Sequence, residues 1–373
     1  MRRSRDQDAC PGALQTHQAA DGALARVRLP GGLVSAAQLA ALAQAATRYG
    51  AGTLELTGRG NVQIRGITDT GAVAEAVAAA GLLPSATHER ARNIVASPLS
   101  GRVGGRADVR GWVVELDAAL QGAPPLATLP GRFWFSLDDG RGDVSGLAAD
   151  VGVHVLDDAV ALLLSGRDTG VRLAPSDVVG TLVTLAARFL EIRGTAWRVT
   201  ELSDPRDLLP DADPDGARFG PVERPPVGWI EQDDGRVALG AAVPLGVLSA
   251  HVAEYLAVIG APLVITPWRS VLVCDLEEAV ADAALRVLAP LGLVFDADSP
   301  WLMVSACVGS PGCRHAVADV RADAAAAARA GDADTGRRHF VGCERACGAP
   351  PAGQVLVATG LADPAYRVLP AHR

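Results

Sequence analysis

Residues 25–67 read ARVRLPGGLVSAAQLAALAQAATRYGAGTLELTGRGNVQIRGI, and residues 235–276 read GRVALGAAVPLGVLSAHVAEYLAVIGAPLVITPWRSVLVCDL. Each stretch has a short alternating segment, a turn rich in Pro or Gly, and a serine (Ser35 or Ser249) of the type that caps a helix. Two β-branched runs follow, separated by a turn that contains an arginine, and a helical pattern closes each copy. The repeated order strand–helix–strand–strand–helix predicts an α+β fold built from two related half-domains.

The rest of the chain is organised around these two copies. Strands are predicted at WVVELD (112–117), GRFWFSLDD (131–139) and VGVHVL (151–156), and a helix at PSDVVGTLVTLAARFLEI (175–192). A stretch rich in Pro, Asp and Gly favours a linker. The predicted units are an irregular segment 1–22, a first half-domain 23–85, a first α/β domain 86–202, a linker 203–227, a second half-domain 228–296 and a cysteine-bearing domain 297–373.

Composition excludes several kinds of chemistry. The chain has 373 residues and a net charge of -8, which disfavours nucleic acid as a partner. No apolar run is long enough to span a membrane and no secretory signal precedes the first copy, so a cytoplasmic protein is expected. The sequence contains no lysine, and its 34 basic residues are all arginine. A lysine Schiff base or phosphate-loop lysine is therefore excluded, and any anion must be bound by arginine.

Four of the six cysteines lie close together near the C-terminus, in the stretches SACVGSPGCRHAVADV and HFVGCERACGAP. The first pair has five residues between its members, the second pair has three, and 29 residues separate the pairs. Four thiolates are the usual ligands of a [4Fe–4S] cluster, whereas zinc favours tighter pairs, and unrelated buried thiols are the third reading. The predicted cluster ligands are Cys307, Cys313, Cys343 and Cys347. Cys274 ends an apolar strand and is expected to pack in the core, and the role of Cys10 is structural or unknown.

Three further motifs accompany this spacing: TGRGNVQIRG (57–66), ERARNIVASPLSG (89–101) and LPGRFWFSLDDG (129–140). Together with the paired half-repeats and the cysteines, they resemble the sulfite and nitrite reductase superfamily. The resemblance covers most of the chain. It implies two pseudo-symmetric ferredoxin-like half-domains plus α/β cluster-binding domains. In that superfamily they surround a sirohaem coupled to a [4Fe–4S] cluster.

Two features narrow the choice of family within this superfamily. Reductases of this superfamily carry a lysine pair in the third motif, where this chain has Arg132 and Trp134. The stretch CPGALQTHQAADGALARVRLPGG (10–32) resembles the precorrin-3B synthase family. That resemblance implies O2-dependent hydroxylation of precorrin-3A at C20 with γ-lactone formation, a [4Fe–4S] cluster, a mononuclear non-haem iron and an unidentified electron donor. The alternatives are a sirohaem-dependent nitrite or sulfite reductase and a non-catalytic iron–sulfur module.

A precorrin carries many acetate and propionate groups, so the basic and amide residues of the matched turns are candidate substrate ligands. Surface arginines often only cover apolar neighbours, and Asn or Gln can equally cap turns. No catalytic residue is assigned, and no histidine spacing identifies ligands for a second iron. The predicted substrate-binding residues are Arg59, Arg65, Arg92, Arg132, Arg269, Asn61, Gln63 and Asn93.

Overall fold

The structure is a computed structural model that describes residues 8, 10–213, 215–220, 222, 225–331, 336–350, 352–361 and 365–369. Its strands are β1 His17–Ala19, β2 Gly22–Val27, β3 Leu33–Val34, β4 Thr53–Leu56, β5 Val62–Ile67, β6 Ile94–Ala96, β7 Phe135–Asp138, β8 Val151–Val155, β9 Val160–Leu164, β10 Arg167–Leu173, β11 Gly228–Glu231, β12 Val237–Ala242, β13 Val247–Ser249, β14 Leu263–Ile265, β15 Ser270–Leu276, β16 Val304–Ala306, β17 Arg338–Val341, β18 Gln354–Ala358 and β19 Tyr366–Val368. Its α-helices are α1 Ala36–Tyr49, α2 Thr70–Ala79, α3 Arg110–Gln121, α4 Val178–Ile192, α5 Ala250–Val258, α6 Glu278–Leu288 and α7 Val320–Ala330.

The predicted helix starts of the two copies are confirmed. The Ser35 side chain accepts a hydrogen bond from the backbone N–H of Gln38, whose own side chain caps Ser35 in return. Ser249 caps α5 in the same way, because its hydroxyl accepts from the backbone N–H of Val252. Each serine satisfies an N–H group that the first turn of a helix leaves without a partner.

The two half-domains exchange a strand. One sheet has the order β1–β2–β5–β4–β13 and the other has the order β11–β12–β15–β14–β3. Strand β13 of the second copy pairs with β4 of the first, and β3 of the first copy pairs with β14 of the second. One hydrophobic core contains side chains of both copies, and α1 packs on α5. The predicted fold class, with two pseudo-symmetric ferredoxin-like half-domains, is confirmed.

The matched turns of the two copies have equivalent backbones. Turns 57–61 and 266–270 each close with a hydrogen bond from the N–H of the threonine to the carbonyl of the fifth residue, 2.9 Å in both. The fourth position is Gly60 in one turn and Arg269 in the other, with φ of 66° and 58°. Arg59 is the third residue of its turn. The two turn arginines therefore occupy different positions of the repeat.

A third sheet follows the first copy, with the order β10–β9–β8–β7–β6, and α3 and α4 contribute to its core. The predicted strands at β7 and β8 and the predicted helix at α4 are confirmed. The strand predicted at 112–117 is wrong, because this segment lies within α3. Val113, Leu116 and Leu120 are buried at helical spacing, whereas Val114 is 65% exposed. The short apolar run at 112–117 is compatible with both the helical and the strand periodicity, and packing against the sheet stabilises the helix.

The fourth sheet carries the cysteines. Its order is β16–β17–β18–β19, with α7 packed on β16 and β17. Within the predicted linker, Leu208 is buried and joins the core of the third sheet. None of the helices in the described ranges is long and apolar enough to cross a membrane.

Candidate functional site

The four predicted cluster cysteines lie on two adjacent loops, residues 307–313 and 343–348, which we term the cysteine loops. Cys307 directly follows β16 and Cys343 follows β17, and these neighbouring strands run parallel. Parallel strands end at the same edge of a sheet, so both loops emerge side by side. Burial raises the pKa of the Cys347 thiol, and the proximity of Cys307, Cys343 and Cys313 adds to the increase. The loops therefore bring all four sulfurs into one neighbourhood.

The donor set and the loop backbone fit an iron–sulfur cluster. All four cysteines are free thiols, and the backbone N–H of Gly342 donates to Cys307 Sγ at 3.4 Å. Gly309 and Gly348 have φ of 69° and 80°, a conformation that side-chain-bearing residues avoid. The chain between Cys343 and Cys347 forms turns rather than a helix.

The spacing of the sulfurs fits zinc poorly. One zinc ion with sulfurs at about 2.3 Å would hold all four within about 4 Å of one another. Among the residues that the structure describes, no three cysteine sulfurs lie within 4.8 Å of one another.

The cysteine loops are tied to both half-domains by predicted site residues. Arg65 donates to the Gly312 carbonyl at 3.0 Å and forms a two-pronged ion pair with Asp21 at 2.8 and 2.9 Å. Arg269 donates to the Gly348 carbonyl at 3.2 Å. Burial, followed by the neighbouring Arg321, lowers the pKa of Arg269. These two arginines therefore brace the loops from the two copies of the repeat.

His339 contacts the second cysteine loop from β17. Its Nε2 lies 3.1 Å from the Cys347 carbonyl and its Nδ1 lies 2.8 Å from the Ser305 hydroxyl. A carbonyl can only accept, so Nε2 carries the proton and Nδ1 accepts from Ser305. Burial, together with Arg269, lowers the pKa of His339 to about 4, and the ring is therefore neutral.

Three arginines, Arg26, Arg28 and Arg59, lie near Trp134 and Cys10 in what we term the arginine pocket. Arg26 lies in β2 and Arg28 directly follows that strand, so the two are two residues apart in extended chain and share one face. The Arg59 guanidinium carbon lies 5.3 Å from the centre of the Trp134 ring, and its Nη1 donates to the Gly131 carbonyl at 3.3 Å. Burial, followed by Arg198, lowers the pKa of Arg59 to about 10.

Arg28 is the most unusual residue of this pocket. It is 2% exposed, and none of its three guanidinium nitrogens has a hydrogen-bond partner within the described part of the chain. Burial, followed by the positive charge of Arg26, lowers the pKa of Arg28 to about 9, so the group is still charged at neutral pH. The Trp134 indole N–H is also buried without a partner there. The pocket therefore presents hydrogen-bond donors with no acceptor for them.

Residues 10–15, which we term the strap, lie against the strand that carries Arg26, whose N–H donates to the Gly12 carbonyl at 2.9 Å. The Glu89 carboxylate accepts from the backbone N–H groups of Ala13, Leu14 and Gln15 at 2.6, 3.0 and 3.2 Å. Asp8 accepts from the N–H groups of Cys10 and Gly131, at 3.0 and 2.5 Å. Burial, followed by Asp8, raises the pKa of the Cys10 thiol.

Three of the remaining predicted substrate ligands, Arg92, Asn61 and Asn93, are hydrogen-bonded within the protein. Arg92 forms a two-pronged pair with Asp117 at 2.6 and 2.8 Å. The Asn61 side chain accepts from the Leu29 N–H at 2.9 Å, and Asn93 donates to three backbone carbonyls. Arg132 is exposed, with its guanidinium carbon 5.8 Å from the ring centre of Trp197. Of this group only Arg132 has an accessible guanidinium.

Gln63 joins the arginine pocket to the cysteine loops. Its side-chain oxygen accepts from Arg26 at 2.9 and 2.5 Å, and its amide donates to Glu55 at 3.4 Å. Glu55 in turn accepts from Arg321 at 2.7 Å and lies 3.8 Å from Arg65, the residue that holds Gly312. A continuous set of polar contacts therefore links the two groups.

Sequence reasoning missed Arg26, Arg28 and Cys10 as pocket residues. The signal for the arginines was the pair in ARVRLPGG, where two charges stand on one strand face directly before a turn. A strand of this type normally buries one apolar face, so paired charges at alternate positions were informative.

A mononuclear iron site is not formed by the described residues. Such iron commonly uses two histidines and one carboxylate. The group of three or more ligand atoms within 4.8 Å of one another in the described chain is Asp138, Asp139 and Asp143. Asp138 accepts from four backbone N–H groups and the Ser145 hydroxyl, and Asp139 pairs with Arg141. This group has one neighbouring histidine, His154, and does not fit the expected ligand set.

Comparisons with known proteins agree with this architecture. A family model described as the nitrite/sulfite reductase ferredoxin-like half domain matches residues 17–80. Precorrin-3B synthase of Sinorhizobium sp. is 26% identical over 396 residues, which span 96% of this chain and 84% of that protein. Ferredoxin–nitrite reductase of Synechococcus elongatus is 24% identical over 386 residues, spanning 89% of this chain and 75% of that protein.

The fold itself recurs in a solved structure. The structure of Mycobacterium tuberculosis NirA protein matches 90% of this chain and 71% of its own with a TM-score of 0.76 and 21% identity. The resemblance inferred from the motifs is confirmed. Residues 17–80 match the nitrite/sulfite reductase ferredoxin-like half domain, and the chain is similar along nearly its full length to a precorrin-3B synthase.

Proposed function

We propose that this chain is an oxidoreductase that hydroxylates precorrin-3A at C20 with O2 and forms the γ-lactone of precorrin-3B. The observation that carries the proposal is the arginine pocket. Three buried or half-buried guanidinium groups converge there, and the most deeply buried has no anion to neutralise it within the described chain. The similarity to a precorrin-3B synthase over 96% of the chain supports the choice of substrate.

The substrate fits the chemistry of the pocket. A precorrin is a macrocycle with many carboxylates, and guanidinium groups bind carboxylates through two parallel hydrogen bonds. Arg28 offers an unused fork, while Arg59 holds its planar group near the Trp134 ring. Trp134 stands where the resemblance places a lysine in reductases of small oxyanions. An aromatic ring there suits contact with a macrocycle better than contact with sulfite or nitrite.

The four cysteines would hold a [4Fe–4S] cluster, which when bound supplies electrons. In the overall reaction one oxygen atom of O2 enters the substrate and the other leaves as water. Two electrons and two protons from an external donor complete the balance. The contribution of this chain is to bind the macrocycle through its carboxylates, orient C20 and exclude water from the pocket. No step is assigned to a mononuclear iron, because the described residues do not fit one.

The experiment that tests the proposal is a cofactor inventory followed by turnover. Protein purified without air would be analysed for iron, sulfide, zinc and acid–acetone-extractable sirohaem, and then supplied with precorrin-3A, reductant and O2. Iron and sulfide without sirohaem, and O2-dependent formation of precorrin-3B, are expected. Sirohaem in stoichiometric amount with nitrite or sulfite reduction would replace the proposal with the reductase alternative. Zinc in place of iron and sulfide would overturn both.

A further inference from the structure

Arg28 is a cation without an anion. Its three guanidinium nitrogens are buried and make no hydrogen bond to any described residue. The charged or titratable groups that influence it most are Arg26, Cys10, Arg59 and Glu89, in that order. Arg26 is the strongest of these and is a cation, like Arg59, and the Glu89 carboxylate makes no hydrogen bond to Arg28 that would offset them.

The nearby carboxylates are already committed elsewhere. Glu89 accepts three backbone N–H groups of the strap, and an added Cβ at Gly12 would lie 2.2 Å from its carboxyl carbon. Asp8 accepts from the N–H groups of Cys10 and Gly131 and pairs with Arg90. Neither of these two carboxylates hydrogen-bonds Arg28. A folded chain retains an unpaired buried cation only against a substantial desolvation penalty, which a bound anion would remove.

We propose that Arg28 is the receptor for one carboxylate of the substrate, in a subsite walled by Cys10 of the strap and flanked by Arg26 and Arg59. The subsite itself follows from the unpaired guanidinium. Naming its ligand as a tetrapyrrole acetate or propionate rests on the proposed function. Two parallel hydrogen bonds from the fork of Arg28 would hold the carboxylate, and the surrounding positive charge would strengthen the attraction.

The test compares Arg28→Gln with Arg286→Gln in protein purified without air. Arg286 lies on the exposed face of α6, with its side chain 77% exposed, and serves as the matched control. Uroporphyrin III, a stable carboxylate-rich tetrapyrrole, is the binding probe, followed by fluorescence. The melting temperature is measured for each protein with and without sodium acetate. A third variant, Arg28→Lys, keeps the charge and removes the fork.

Arg28→Gln is expected to bind the porphyrin at least tenfold more weakly than wild type, while its melting temperature without ligand is unchanged or higher. This combination distinguishes a ligand receptor from a structural arginine, whose loss would lower the melting temperature. Arg28→Lys is expected to have an intermediate affinity, and Arg286→Gln should match wild type in both measurements.

The outcomes separate this inference from the proposed function. Porphyrin binding that is equal in wild type and Arg28→Gln would overturn the subsite and leave the proposed function standing. If wild type bound no porphyrin but acetate raised its melting temperature and not that of Arg28→Gln, the subsite would stand and the tetrapyrrole assignment would fall. A lowered melting temperature or failed folding of Arg28→Gln would assign Arg28 a structural role and overturn the inference.

Discussion

Asp143 is a buried acid with an unusual titration. Burial and the adjacent Asp138 raise its pKa to about 7, although the Ser97 hydroxyl donates to it at 2.6 Å and Arg141 lies 3.7 Å away. The folded protein therefore holds a proton that the unfolded chain has already released above pH 4. This group stabilises the fold most at low pH, and its contribution is lost as the pH rises from about 4 to 7.

We therefore expect Asp143→Asn to raise the free energy of unfolding at pH 8, on the order of 2–4 kcal/mol, and much less at pH 5. Urea denaturation at the two pH values measures the difference. Asp157→Asn is the control, because that side chain is 89% exposed. An equal gain at both pH values would mean that Asp143 is ionised in the folded protein across this range.

Arg59 is the residue that both the turn motif and the structure place in the pocket. Arg59→Ala should weaken porphyrin or precorrin binding by about 1–3 kcal/mol, because it removes a charged donor beside Trp134. Arg132→Ala should cost less, since the guanidinium of Arg132 is solvent-exposed. Titration of the three proteins with the same ligand measures both effects, and an unchanged affinity would remove Arg59 from the pocket.

At the residue scale, the sequence predicts which side chains could bind an anion better than it predicts which of them are already paired within the protein. The motif TGRGNVQIRG supplied both Arg59 and Arg65 as candidate ligands, yet Arg65 is paired with Asp21 and holds the cysteine loop. Arg92 is likewise paired with Asp117. Arg28 was missed because its isolation depends on Glu89 being occupied by the strap, a contact between distant segments that no local pattern records.

Among the elements, the turn that follows β2 joins the two copies at close range. An added Cβ at Gly32 would lie 2.0 Å from the Ile265 carbonyl oxygen, in β14 of the other copy, and φ at Gly32 is 72°. Gly52 has nearly the same φ, 70°, but nothing within 4 Å of such a Cβ. Substitution of Gly52 would introduce backbone strain alone, whereas substitution of Gly32 would add a clash between the two sheets.

Gly52→Ala should cost about 1 kcal/mol of stability, the usual penalty for a left-handed alanine. Gly32→Ala should cost about 3 kcal/mol or more, because the clash with Ile265 adds to that penalty. Chemical denaturation of both variants gives the comparison. Equal losses would mean that the two sheets can separate at this point without cost.

The cysteine loops offer a second comparison at this scale. Cys313→Ser should lose the cluster iron and sulfide together with activity, because the loop then lacks one of four ligands. Cys274→Ser should keep both, since Cys274 is fully buried in a separate apolar cluster on the sheet β11–β12–β15–β14–β3. Iron and sulfide analysis of the two purified proteins decides, and a full complement of iron in Cys313→Ser would remove it from the ligand set.

Element prediction succeeded where a cap or a long pattern marked the element. Ser35 and Ser249 fixed the two helix starts, and α4 had a long apolar periodicity. Residues 112–117 failed because a short apolar run is compatible with either period, and the buried face of α3 is defined only by the sheet beneath it. Strands β9 and β10 went unpredicted between their neighbours.

On the scale of the whole molecule, the two half-domains should unfold together. Each five-stranded sheet is completed by a strand from the other copy, and one core serves both. We expect β4 and β14 to show the same free energy of opening in native-state hydrogen exchange, although they belong to different copies. Values separated by more than about 2 kcal/mol would show that the halves are independently stable.

The repeat in the sequence predicted two half-sheets but not the exchange between them. Strands β3 and β13 have only two and three residues, and they follow the turns that the pattern had already identified. Whether such a short strand pairs within its own copy or with the other depends on the docking of α1 against α5, which is a tertiary contact. The pseudo-symmetry of the two copies could therefore be predicted from the sequence, whereas the exchange of strands between them could not.

Because the two copies exchange strands, the chain that links them also has a role in completing both sheets. Since β13 completes the first sheet and β3 completes the second, a chain severed between Gly220 and Pro225 would yield two pieces that each lack one edge strand. Each piece alone would expose an unpaired edge, on β4 or on β14, and such edges promote aggregation. The covalent connection thus gives each copy a high effective concentration near the other. It keeps each sheet close to the edge strand that only the other copy can supply.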